Sequence, residues 1–258
     1  MRDCFILGCG RSGTSLTAGL LADAGYFMGD ELYPGDEGNP KGYFEDREVN
    51  AINEGLLAQL IPGPRRSVAD KLLRRPRPES RWFRWLAELE PHQVVPCPPK
   101  LADRIIRQTA RGPFCFKDPR FCYTLGAWRS FAPKAAMICV FRHPGASARS
   151  IVAEAARDEF LVNGAAVDYS RATRIWRAMY TYALALQRAG GGDWLFVNYA
   201  QLLSGAAFAA IERLLGVTLQ RDFVDPSLSR STADGAVPSA LAPLYRQLCE
   251  LAGFDDHA

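Results

Sequence analysis

Residues Phe5-Ile6-Leu7 run directly into Gly8-Cys9-Gly10-Arg11-Ser12-Gly13-Thr14-Ser15-Leu16-Thr17, and this succession restricts the fold more than any other part of the chain. A short apolar run that stops at a glycine has the length of a buried strand. Glycines at 8, 10 and 13 let the backbone turn within a few residues and pass close to a ligand. From Thr14 the apolar spacing becomes helical. A strand, a glycine-rich turn and a helix start, in that order, bring several amides and the positive end of a helix dipole to one point, which favours a phosphate-like anion. Thr14, Ser15 and Thr17 add hydroxyls there. The segment alone leaves open a plain strand-to-helix turn with a capping hydroxyl.

Three more short apolar runs, Phe114 to Phe116, Ala136 to Phe141 and Trp194 to Val197, are predicted as buried parallel strands alongside Cys4 to Leu7. Helical spacing covers Thr14 to Ala24, Glu48 to Leu60, Tyr123 to Phe131, Ala146 to Arg157, Tyr169 to Arg188, Ala206 to Leu215 and Ser239 to Leu251. Strands alternating with helices predict an α/β fold: a doubly wound parallel sheet flanked by helices, in three α/β/α layers. A chain of 258 residues, 48% of them hydrophobic, can bury one large core, so one domain over residues 1–258 is expected. Residues 61–99 break the alternation with eight basic residues between Arg65 and Arg84 and frequent prolines. They are expected to form an inserted, partly helical excursion with a solvated basic surface, or a lid that helps to hold an anionic acceptor.

A formal charge of +3 demands neither a nucleic acid nor an anionic membrane as partner. The apolar run at the amino terminus is too short for a signal peptide and no run approaches a membrane span, so a cytoplasmic protein is expected. Seven cysteines without a paired CxxC spacing, and only three histidines, argue against a disulfide framework and a metal site.

The nucleotide triphosphatase loop requires Gly, four residues, Gly-Lys and then Ser or Thr. Here Gly8, four residues and Gly13 are followed by Thr14; the lysine is missing and the cation is Arg11, inside the loop. In this form Gly10-Arg11-Ser12-Gly13-Thr14-Ser15 resembles the 5′-phosphosulfate loop of sulfotransferases that use 3′-phosphoadenosine 5′-phosphosulfate (PAPS). The resemblance implies a P-loop NTPase-like fold with PAPS as cosubstrate and no metal. It also implies that Arg11, Ser12, Gly13, Thr14 and Ser15 bind the donor, with Arg11 on the sulfate and the bridging oxygen.

A second element is independent of the first. The run Met137 to Phe141 ends in Arg142-His143-Pro144, a helix follows, and Ser150 stands eight residues after Arg142. Pro144 suits a first helical turn, which places Arg142 at the carboxyl edge of a strand, where open α/β sheets bind ligands. The pair resembles the family's 3′-phosphate site, an Arg at a strand end with a Ser eight residues later, and a guanidinium with a hydroxyl suits a phosphate. Tyr199, after the Trp194 to Val197 run, resembles the family's Tyr-Glu-Asp-Leu tyrosine near the adenine, although Ala200 and Gln201 replace the acidic pair; an ordinary buried tyrosine is the alternative. Ser227-Leu228-Ser229-Arg230-Ser231 could stand in for the family's carboxyl-terminal nucleotide loop.

Transfer also needs a base. Gly38-Asn39-Pro40-Lys41-Gly42-Tyr43-Phe44-Glu45-Asp46 resembles a segment of bacterial sulfotransferases whose Glu faces the acceptor, so Glu45 is the expected base, with Asp46 as fallback and helix capping as the alternative role. His143 and His92 are weaker candidates. Phe116-Lys117-Asp118-Pro119-Arg120 resembles a Lys-Asp-Pro-Arg element of the same group, implying that Lys117 stabilises developing charge and Arg120 binds the acceptor; an Asp118–Arg120 surface ion pair is the alternative. The expected acceptor is a carbohydrate or small molecule, with Tyr26, Phe27, Tyr33, Tyr43 and Phe44 as candidate pocket aromatics. The sequence assigns no oligomeric state. The rival functions are a P-loop kinase using ATP and a non-catalytic nucleotide-binding module.

Overall fold

The computed structural model describes residues 1–36, 38–61, 84–157, 167–225 and 235–256. Most of the basic excursion (62–83) and the Ser227 to Ser231 segment lie outside the described residues.

Strands β1 (Cys4–Leu7), β2 (Cys115–Lys117), β3 (Ala136–Phe141) and β4 (Trp194–Asn198) form a sheet in the order β2-β1-β3-β4. Every pairing is parallel, with Cys4 beside both Cys115 and Ala136, and Met137 beside Trp194. Both faces are covered, so the strands are apolar except for Lys117 and Asn198 at their carboxyl ends, and their side chains alternate between two cores. Phe5, Leu7, Phe116, Met137, Cys139, Phe141 and Phe196 point to one face; Cys4, Ile6, Cys115, Ala136, Ile138, Val140 and Val197 point to the other.

The larger core packs under helices α2 (Arg47–Leu57), α4 (Phe121–Arg129), α5 (Pro144–Ala155), α6 (Tyr169–Gly190) and α9 (Ala242–Ala252). The smaller one packs under α1 (Thr14–Asp23) and α8 (Phe208–Leu215). The parallel sheet with helices on both faces is the fold expected from the sequence. All seven free cysteines are among the described residues, six of them buried.

Two helices were not expected. Helix α3 (Pro99–Thr109) starts where the proline-rich excursion was expected to end, with Pro99 at its first position, and packs Ile105 and Leu101 against the larger core. Helix α7 (Tyr199–Ser204) is too short to show a period, but a capping box built from Asn198 and Gln201 starts it.

Candidate functional site

Strand β1 lies between β2 and β3, so the chain reverses its direction across the sheet at this point. The turns after β1 and β3 therefore emerge side by side at the carboxyl edge, which is where such sheets bind ligands. The two elements singled out in the sequence are these two turns.

The first turn is shaped by what it must pass. Gly8, at φ 149, crosses the end of β3 so closely that a Cβ would stand 2.1 Å from the Val140 carbonyl oxygen. Gly13, at φ 97, is the residue before α1, and a Cβ there would lie 2.4 Å from Cδ2 of Tyr199. Arg11 is left-handed at φ 68, a conformation that costs a non-glycine residue and is held only by its surroundings. Its Nε donates to Ser150 Oγ at 3.1 Å, its second terminal nitrogen to the Gly38 carbonyl at 3.0 Å, and its first stands 3.7 Å from Glu154.

One groove at this edge is lined by Arg11, Gly13, Thr14, Ser15, Arg142, Ser150 and Tyr199, which arrive from three separate parts of the chain. Residues 38–41 close one side, and Phe223 and Asp225 border it. Lys41 is pinned across this border, donating to the Phe223 carbonyl at 2.5 Å and lying over the Phe223 ring. The Arg142 guanidinium lies 4.5 Å from the centre of the Tyr199 ring. Burial lowers the pKa of Arg142; Tyr199 opposes that shift, and the nearby cations Arg11 and Arg149 add to it. Positive charge gathered at the expense of mutual repulsion is what an anion site requires.

Ser12 does not line the groove. Its hydroxyl is buried behind the loop, 3.3 Å from Ser147 Oγ and hydrogen-bonded to the Tyr180 hydroxyl at 3.0 Å. Tyr180 also donates to the Val140 carbonyl and accepts from the Cys9 amide. It is a residue that sequence reasoning missed, because among Ile175, Trp176 and Met179 on α6 it has the pattern of an ordinary core residue. Glu154 was missed as well; one turn beyond Ser150, it also accepts from the Tyr43 hydroxyl at 3.1 Å.

Glu45 and Lys117 lie deeper, at 4% and 3% exposure, joined by an ion pair of 2.5 Å. Phe44, left-handed at φ 52, immediately precedes Glu45 and packs its own ring against Phe223. Asp46 is committed to structure: one carboxylate oxygen caps α2 through the amides of Glu48 and Val49, and the other accepts from the Glu31 amide. Capping, the alternative weighed for both acids, thus falls to Asp46, whereas Glu45 faces Lys117.

Arg120 departs from expectation. At 1% exposure its guanidinium is engaged by core carboxylates: its Nε donates to Glu54 at 2.7 Å and a terminal nitrogen to Asp118 at 2.9 Å. The Asp118–Arg120 pair exists, but in the core rather than on the surface. Asn50, Asn53 and the Arg120 amide also donate to Asp118, while Arg84 donates to the other oxygen of Glu54. Burial pushes the Asp118 carboxyl up to about 6, with Arg120 pulling it down and Glu45 pushing it further up.

His143 precedes α5 with its side chain turned into a different groove, against Tyr245 and Cys249, and burial lowers its pKa. His92 is exposed in a turn. Among the described residues no group of three or more His, Cys, Asp or Glu side chains is placed to hold a metal ion, and no helix is long and apolar enough to cross a membrane.

A parallel sheet between two layers of helices, with a glycine-rich turn at its switch point, defines an α/β protein of P-loop-like architecture. Within that class the chain belongs to the sulfotransferase family, whose family model matches residues 3–220. Among solved structures it is similar to the sulfotransferase domain of the olefin synthase from Synechococcus PCC 7002, at 20% identity over 98% of this chain and 94% of that one, with a TM-score of 0.54. Sulfotransferase STF1 from Mycobacterium tuberculosis H37Rv matches at 18% identity over 97% and 76%, with a TM-score of 0.40. No curated protein matches the sequence.

Proposed function

We propose that the protein moves the sulfuryl group of PAPS to a hydroxyl of a carbohydrate or small-molecule acceptor, and that residues 1–258 form one domain for this purpose. The observation that carries the proposal is the meeting of Arg11, Arg142, Ser150 and Tyr199 in one groove, with Arg11 Nε hydrogen-bonded to Ser150 Oγ. The residues present suit a donor with anionic groups at two separated positions. Amides and hydroxyls of residues 13–15 would hold its 5′ end with Arg11, and Arg142 with Ser150 would hold the 3′-phosphate. That phosphate distinguishes PAPS from ordinary adenine nucleotides, and Thr14 stands where a kinase loop carries its lysine.

In the transfer, the acceptor oxygen bonds to sulfur as the bond from sulfur to the bridging phosphate oxygen breaks, leaving adenosine 3′,5′-bisphosphate. Arg11 and Lys117 stabilise charge that moves onto the leaving oxygen and the sulfuryl group. Glu45 accepts the acceptor's proton, exchanging part of its contact with Lys117 for the incoming hydroxyl.

Titration with adenosine 3′,5′-bisphosphate and with ATP tests the donor: the bisphosphate should bind in the micromolar range and ATP far more weakly. Micromolar ATP with no bisphosphate binding would instead support a kinase. Glu45→Gln should slow transfer by at least about 100-fold, the usual worth of a general base, while bisphosphate affinity stays within about twofold. An unchanged rate would remove Glu45 from the mechanism. Donor binding without sulfate transfer to a broad panel of hydroxyl acceptors would point to a binding module.

A further inference from the structure

The segment that carries Tyr199 differs from the sulfotransferase pattern in having Ala200 and Gln201 where an acidic pair was expected, and the structure gives the difference a use. Gln201 is the third residue of α7 and closes the capping box: its Oε1 accepts from the Asn198 amide at 2.9 Å while Asn198 Oδ1 accepts from the Ala200 amide at 2.9 Å. The Gln201 amide nitrogen then donates to the Ala252 carbonyl at 3.0 Å, tying the start of α7 to the end of α9. An acid at this position could close the box but could not make that second bond. Tyr199, the first residue of α7, is thereby fixed at the end of β4.

From this anchor the Tyr199 ring meets two partners. Its Cδ2 edge lies so near Gly13 that no side chain fits there, and its face carries the Arg142 guanidinium at 4.5 Å. A cation over an aromatic face is attracted by the ring quadrupole, and more strongly when water is partly excluded. The ring therefore spans the interval between the loop after β1 and the cation after β3.

We propose that Tyr199 is a positioning residue for Arg142, holding the guanidinium where it selects a 3′-phosphate. This rests on the PAPS reading above and assigns the ring a different task from contact with adenine. The aromatic face, and not the hydroxyl, performs the task.

The test is calorimetric titration of wild type, Tyr199→Phe, Tyr199→Leu, Arg142→Ala and the Tyr199→Leu/Arg142→Ala double variant with two ligands, adenosine 3′,5′-bisphosphate and adenosine 5′-phosphate. Tyr199→Leu should weaken the bisphosphate by about tenfold, the worth of a partly desolvated cation–π contact, and leave adenosine 5′-phosphate within about twofold. Tyr199→Phe should retain the wild-type preference, and Tyr199→Leu should add little once Arg142 is alanine. Equal losses for both ligands in Tyr199→Leu, with the wild-type preference intact, would overturn this role and leave the PAPS reading standing. A wild type that does not prefer the bisphosphate would overturn the PAPS reading, and this role with it.

Discussion

Two charged regions lie near one another at the carboxyl edge of the sheet, and they use the same side chains for opposite ends. In the groove, Arg11 and Arg142 are half-buried, close enough for Arg11 to depress the pKa of Arg142, and Arg11 has Glu154 only at 3.7 Å. In the core, Arg120 and Arg84 share Glu54 and Arg120 also holds Asp118, all at 2.9 Å or less. Cations that repel one another suit an incoming anion, whereas charge cancelled in the interior fixes geometry. An arginine motif in sequence does not reveal which it is, because burial and the number of facing carboxylates decide.

The contrast is broken most forcefully at Arg120. Arg120→Met should strand Asp118 beside a half-neutralised Glu54 and destabilise the fold by about 3–5 kcal/mol, read from the shift in a urea unfolding midpoint at constant slope. A loss below about 1 kcal/mol would put Arg120 with surface pairs instead.

Next comes the pH dependence of the same network. The Asp118 carboxyl stands at about 6 in the folded chain, above the ordinary 3.8. Between those values the unfolded chain releases its proton more readily than the folded one, so this group's contribution to stability falls as pH rises and levels off above about 6. Comparing wild type with Asp118→Asn by thermal unfolding from pH 4 to 7 should show a loss of up to about 3 kcal/mol that only the wild type suffers. Parallel curves would mean that Arg120 and the two asparagines keep the carboxylate at its ordinary value.

The smallest effect on folding is expected at Arg11, where the loss falls on function instead. Arg11→Ala should change stability by less than about 1 kcal/mol, since its ion pair is long and partly exposed. It should cut kcat/KM for sulfuryl transfer by about 10- to 100-fold, the range for a charge-assisted hydrogen bond. A variant that unfolds before it loses activity would erase the distinction between the two regions.

The sequence was most legible where one residue type has one physical explanation. Glycines at 8 and 13, the apolar strands buried on both faces, and Pro144 after Arg142 located the sheet, the turn and the strand end that carries Arg142. The β3 strand falls on the same residues in pattern and in structure, Ala136–Phe141, because its whole length is covered. Legibility failed where the outcome depends on distant partners. Nothing local distinguishes Arg120 from Arg142, yet Glu54, on α2, makes the first a core residue. Nothing local distinguishes Glu45 from Asp46 either; the free amides at the start of α2 take one and Lys117 the other. Tyr180 and Glu154 act on the loop from helices that the chain reaches more than a hundred residues later.

Tyr180 has a consequence for how the glycine-rich turn could be moved between proteins. Its single hydroxyl joins the Cys9 amide, the Ser12 hydroxyl and the Val140 carbonyl, while the Trp85 ring lies against Gly10 and Tyr199 against Gly13. The loop's shape is thus moulded from outside by three aromatic side chains drawn from other parts of the polypeptide. Transplanting residues 8–17 into another strand-to-helix junction would carry over the letters but not the mould.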